Sequence, residues 1–252
     1  MIAIQSEMTH PNVKSKYIYA ETRSKAEIYS EPVPVSGILD ILIKTPVLTW
    51  VLIPITISKI TPTLRRLKRV KEEISKLKKE EPEVIRLVEK LKKGKPLDNV
   101  DKWNLKEISE ASGWNVEDIK EELINLDKDP SEREERYWQL FNKYKEEAKK
   151  FKEQGNDTQA AEKLWGAITA LIKAYAAKIG VPVRHWSMGK LDEIIHNNIP
   201  VHLRSQFREL FDTGSKLHEH FYEKHLSQEG FNVRWDKCIN LIENLIKNIH
   251  SK

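Results

Sequence analysis

A chain of 252 residues with 39% hydrophobic and 32% charged side chains has the balance of a soluble protein of one or two domains, long enough for a real core. A single cysteine, Cys238, excludes an intramolecular disulfide framework and any multi-cysteine zinc site, and points to an intracellular compartment. The net charge of +5 conceals a basic block at 62–96, with 13 Lys/Arg against 6 Asp/Glu, beside an acidic block at 97–162, with 11 against 18. Any phosphate-binding argument is therefore local.

Residues 1–36 are polar, with β-prone patches at Tyr17-Ile-Tyr19 and Glu27-Ile-Tyr29, and read as an irregular arm or weak hairpin. The first 30 residues lack the apolar core of a signal peptide. The uncharged run Thr45–Ser58 falls short of the ~20 residues of a membrane helix. Pro46 and Pro54 also break its helical continuity. A buried kinked helix or a helix–strand pair is expected there, with a membrane-surface or partner-binding segment as the competing reading. The expectation is a cytoplasmic protein that does not span a membrane. Its Lys- and Glu-rich, Gly-poor composition is the bias of hyperthermophile proteins.

From Pro62 to Lys79 the residues Leu64, Leu67, Val70, Ile74 and Leu77 recur at helical spacing, which leaves Arg65, Arg66, Lys68 and Arg69 mostly on the other faces. These four are candidate nucleic-acid contacts; the competing reading is a solvated charged face. A second helix is expected from Pro82 to Lys93, ended by Gly94. Over 97–130 a small helical module is predicted, with Asn104 and Asn115 as caps and Ser112-Gly113 at the turn. The spacing Leu105, Ile108, Ala111, Gly113, Val116, Ile119, Leu123 resembles a helix-turn-helix unit. Its second helix carries Glu117, Asp118, Glu121 and Glu122 against one Lys120, which phosphates would repel. A structural role or a protein partner suits the module better.

Asp129-Pro130 marks a boundary before residues 131–252. Ser131 with Glu134 has the capping-box spacing and opens a helix whose stripe is Tyr137, Leu140, Phe141, Tyr144, Ala148 and Phe151. Asp157 is expected to cap the next helix. A short one follows from Ser187 to His196, a long one runs from Pro200 to about Leu226, and the last spans Val233 to Ile249. Four long helices with short connections predict an antiparallel bundle, in a chain that is mainly α.

Three strings in this region carry chemistry: Glu162-Lys-Leu-Trp-Gly-Ala167, His185-Trp-Ser-Met-Gly-Lys-Leu191 and Leu217-His-Glu-His-Phe-Tyr-Glu223. On helices, Glu162 lies at the edge of an apolar stripe, Trp165 lies inside it, and Gly166 and Ala167 permit close approach. His218 shares a face with Leu203, Phe207, Leu210, Gly214, Leu217, Phe221 and His225, with Tyr222 flanking. Glu162, Trp165, His218 and Tyr222 are thus candidates for a ligand pocket between helices. The alternative is a core histidine hydrogen-bonded to Glu162 or Tyr222. His218 and His220 sit ~200° apart, and His218 and His225 about 10 Å apart along the axis, so neither pair chelates a metal. No metal and no cofactor is expected.

The three strings, in this order, resemble the archaeal PaREP family, which belongs or lies close to the HEPN-like helical bundles. The resemblance covers about residues 135–250 and implies a four- or five-helix bundle, often dimeric, of poorly defined function. Many HEPN bundles are metal-independent ribonucleases marked by an arginine, four to six residues, then a histidine. No arginine here has that spacing: nine residues separate Arg208 from His218, and Arg184 adjoins His185. The expectation is therefore a non-catalytic binding protein, associating with nucleic acid through 62–96 or with a protein partner through 97–130, and forming a homodimer through the bundle. The alternative is a divergent HEPN-type ribonuclease or nucleotide-acting enzyme using His218, Tyr222 and Glu162, with Arg184 or Arg208.

Overall fold

The computed structural model describes residues 65, 68–184 and 186–250. The arm and the apolar run expected over 1–60 lie outside them. The described residues form helices and no strand, so the chain is mainly α.

Helix α1 (68–80) turns Val70 and Leu77 inward, with Ile74 half-buried. Helix α2 (Pro82–Lys92) has proline at its first position, where the missing N–H costs nothing. Helix α3 (Asn99–Ser112) begins earlier than Asn104 suggested. Asp98 is its cap and forms a reciprocal capping box with Asp101, which satisfies two donors at once and displaces the later start. Asn104 is consequently a buried residue inside the helix. The αL turn at Gly113 ends α3, and Asn115 caps α4 (Val116–Ile124) as its position predicted.

A 3-10 turn at Pro130–Glu132, capped by Asp129, precedes α5 (Glu134–Glu153). The expected Ser131 cap is not made, because Ser131 instead donates its hydroxyl to Asp129. Helix α6 (Asp157–Lys178) is capped by Asn156 rather than Asp157, the Asn156 oxygen accepting from the Gln159 N–H. Helices α7 (Met188–Asn198), α8 (Val201–Glu223) and α9 (Gln228–His250) complete the order. Helix α8 stops short of the expected Leu226 because Lys224 takes a left-handed conformation, while His220 accepts the Leu226 N–H.

Helix α6 is the axis of the fold. From Ala160 to Ala177 every residue except Lys163 is buried, and a helix apolar all round must be enclosed on all sides. Helices α5 and α8 flank it, α7, α9 and α3 also touch it, and its alanines let these neighbours come close. Helix α9 contributes Phe231, Trp235, Cys238, Ile242, Leu245 and Ile249 at helical spacing. Residues from α1 to α9 join one hydrophobic core, so α3 and α4 are packed onto the bundle. No described helix is long and apolar enough to cross a membrane.

Candidate functional site

The backbone at the end of α3 approaches α6 closely. A Cβ on Gly113 would lie 2.7 Å from the Gly166 nitrogen, and one on Gly166 would lie 2.7 Å from the Gly113 oxygen. Only glycines admit that contact, and Gly113 also needs its φ of +72°. The contact brings the last carbonyls of α3, which have no partner within their own helix, against α6 donors. The Trp165 indole donates to the Ala111 oxygen at 2.9 Å, and Thr169 donates to the Ser112 oxygen at 2.9 Å. In return the Trp114 indole donates to the Gly166 oxygen at 2.8 Å.

Four predicted pocket residues meet beside this junction. His218 Nδ1 and Glu162 Oε2 are 2.9 Å apart, and the imidazole stacks on Trp165 with centroids at 5.2 Å and planes 17° apart. Tyr222 meets His218 edge-on at 5.3 Å. Glu162, Trp165 and His218 are buried, whereas Tyr222 is 50% exposed and its hydroxyl lies 3.4 Å from the Glu110 oxygen. Burial, followed by the charges of Glu162 and Glu110, pushes the Tyr222 phenol well above its usual range, so it stays protonated at neutral pH. Helix α8 reaches this junction through Gly214, whose absent Cβ would lie 2.4 Å from Ile168 Cδ1. His225, expected on the His218 face, lies beyond the end of the helix, with its ring 5.7 Å from His220.

The arginines suggested as phosphate-holding partners of His218 are elsewhere. Arg208 is ten residues up the same helix, about 15 Å along the axis. Arg184 is buried and donates to the Lys128 oxygen at 2.9 Å. Among the described residues, no group of three or more His, Cys, Asp or Glu side chains is placed to hold a metal ion.

A second buried polar cluster was missed by the sequence reading. Glu122 of α4, essentially enclosed, receives the Lys173 ammonium at 3.0 Å and the Tyr137 hydroxyl at 2.9 Å, and pairs with Arg133. Lys173 lies over the Trp186 ring at 4.6 Å and the Trp114 ring at 5.3 Å. Burial first, then the neighbouring Arg133 and Arg184 charges, push the Lys173 ammonium well down from its ordinary range, with Glu122 as its direct counter-ion. Among the described residues, Arg133 Nη1, Arg184 Nε and Trp186 Nε1 have no hydrogen-bond partner. Nearby, Asp118 takes hydrogen bonds from the Tyr144 hydroxyl, Lys143 and Arg136. Two acids of the supposed recognition helix, Asp118 and Glu122, therefore pin α4 to the bundle.

The basic-stretch residues are dispersed. Arg65, Lys68 and Arg69 are exposed, and Lys68 pairs with Glu72 at 3.8 Å. Arg66 lies outside the described residues. Arg69 lines a cavity of about 310 Å³ that Arg184 also borders.

Comparisons with curated proteins and with solved structures give no match. Residues 136–242, from the first turn of α5 well into α9, match the model of the archaeal PaREP1/PaREP8 family. Glu162, Trp165, His218 and Tyr222 all lie inside this matching segment, which is similar to that family.

Proposed function

We propose that the protein is a non-catalytic helical-bundle binding protein whose cationic helix α1 follows the phosphate backbone of a nucleic acid. One observation carries the reading: α1 is anchored by Val70 and Leu77 while Lys68, Arg69, Lys71, Lys76, Lys78 and Lys79 stand exposed. Such a row, preceded by Arg65, neutralises phosphates and releases their counter-ions, giving affinity that ignores sequence and falls steeply with salt. Glu72 and Glu80 interrupt it and moderate the expected affinity. The non-catalytic part is supported by His218, whose Nδ1 is engaged by Glu162 and whose ring face is covered by Trp165.

The test measures binding to RNA and duplex DNA across a salt series. Charge reversal at Arg65, Lys68 and Arg69 should weaken binding to all sequences alike and reduce the salt slope by about one for each phosphate no longer neutralised. Affinity indifferent to salt and to these substitutions removes the nucleic-acid reading. A protein partner is the next form of the same class, supported by Trp103 and Val100 of α3, 60% and 54% exposed.

A catalytic reading is favoured by one feature, the exposed Tyr222 beside His218. Cleavage of RNA or nucleotides by the purified protein that vanishes in His218→Ala would replace the binding reading with this one. Cleavage that is absent, or that survives the substitution, removes His218 from catalysis.

A further inference from the structure

Helix α1, the 181–184 segment and α7 enclose a cavity of about 310 Å³, at the lower end of the ~300–1,000 Å³ range of ligand pockets. Its inner wall holds Arg184, which is 1% exposed. One guanidinium nitrogen of Arg184 donates to the Lys128 oxygen, while its Nε has no partner among the described residues. A buried guanidinium N–H without an acceptor is costly, and native structures rarely leave one empty. Lys76 and Arg69 of α1 and Lys190 of α7 stand around the same space.

Three carboxylates, Glu72, Glu73 and Glu193, share the lining. Lys190 is held by Glu193 at 3.4 Å and Glu80 at 4.0 Å, so it is largely neutralised. Lys76 and Arg69 make no ion pair at comparable distance among the described residues. Behind Arg184 lie Arg133 and Lys173, with Glu122 between them as their direct carboxylate partner. With Glu80 included, cavity wall and backing together place six cationic side chains against five carboxylates. Burial, and then Arg133, disfavour the charged form of Arg184, a penalty that a bound anion would relieve.

The remaining lining suits more than a bare anion. Val181 and Ile194 offer an apolar surface, and carboxylates are the usual acceptors for ribose hydroxyls. We propose that this cavity binds a phosphate monoester of mononucleotide size, its phosphate taken by Arg184 with Arg69 and Lys76, and its sugar hydroxyls by the glutamates at the rim. The site goes beyond the nucleic-acid surface proposed above. It can take its ligand as a free nucleotide or as the 5′-phosphorylated end of an RNA.

Titration calorimetry and thermal unfolding of the full chain test it, with inorganic phosphate, adenosine monophosphate and a short RNA with and without a 5′-phosphate, all against chloride at matched ionic strength. Saturable binding of phosphate and tighter binding of adenosine monophosphate are expected. A preference for the 5′-phosphorylated RNA over the 5′-hydroxyl RNA would assign the RNA end as a source, and its absence would assign the free nucleotide. Arg184→Lys, which keeps the charge but loses the fork, and Lys76→Gln, on the exposed rim, should each weaken adenosine monophosphate binding about tenfold or more. The Lys76 variant keeps the test decisive if the buried substitution unfolds the protein. No saturable response above chloride, or phosphate binding without any response to adenosine monophosphate, overturns the proposal. So does adenosine monophosphate affinity unchanged in Lys76→Gln. Charge reversal at Arg65 and Lys68, outside the cavity, should leave adenosine monophosphate binding intact, so failure here and failure of the nucleic-acid surface are told apart.

Discussion

Two polar clusters fasten α3 and α4 to the bundle, and they are built on different electrostatic terms. At the Glu162–His218 junction a carboxylate meets an imidazole through one hydrogen bond, and both side chains lie at the edge of the core, 12% and 9% exposed. At the Glu122 junction one carboxylate, 1% exposed, meets a lysine and an arginine that are 1% and 4% exposed. Taking such charges out of water costs several kcal/mol each, on the order of what their mutual attraction returns. The first junction can therefore lose a partner cheaply, whereas the second cannot.

The largest effect follows from that contrast. Glu122→Gln leaves Lys173 and Arg133 buried without a carboxylate, and about 3–5 kcal/mol of stability should be lost in denaturant unfolding. Glu162→Gln weakens a single hydrogen bond at the edge of the core, so about 1–2 kcal/mol is expected. Equal losses in the two variants would break the comparison. The added loss from Lys173→Met in the Glu122→Gln background should be small or negative, since it removes the orphaned charge.

The first junction was legible in the sequence and the second was not, for a physical reason. Glu162 with Trp165, and His218 with Tyr222, each repeat at helical spacing within one string, so the faces could be drawn before their meeting was known. Glu122, Arg133, Tyr137, Lys173 and Arg184 come from four helices or turns and a loop, each looking like ordinary charged surface in its own segment. The acids of α4 were read as a bar to DNA because no local rule says that a bundle supplies their cations. The bundle itself was read correctly because its apolar period is local to each helix. Caps were less secure: Asp98 and Asn156 displaced Asn104 and Asp157, each by offering an acceptor to the first turn from just upstream. The glycine contact was half legible, since Gly166 promised a close approach but not that a turn, Gly113, would fill it.

That glycine pair supplies the intermediate effect. Gly113→Ala places a methyl 2.7 Å from backbone at a φ of +72°, and the clash and the strained backbone together should cost about 2–4 kcal/mol. The loss should appear in both junctions, because Gly113 is the point from which α3 and α4 diverge. Hydrogen exchange gives the readout: amides of α3 and α4 should lose protection together, ahead of those in α6 and α8. Exposure of only one of the two helices would mean that the junctions act independently.

The smallest effect decides which histidine carries any acid sensitivity. His220 lies two residues from His218, but its Nδ1 accepts the Leu226 N–H at 3.0 Å, closing the turn between α8 and α9. That bond requires the nitrogen to be unprotonated. Burial first, then the facing His225, lower the His220 pKa from its ordinary 6.5, against a smaller opposing pull from Asp157. The unfolded chain then takes up a proton before the folded chain does, so this stability is present above pH 6.5 and is lost as pH falls through the window below it. Replacing the imidazole with an amide, His220→Asn, keeps an acceptor near the Nδ1 position and removes the titration, and should flatten the acid limb of a stability–pH curve by up to about 1 kcal/mol. An acid limb unchanged in His220→Asn would mean that the His220–Leu226 bond does not carry it.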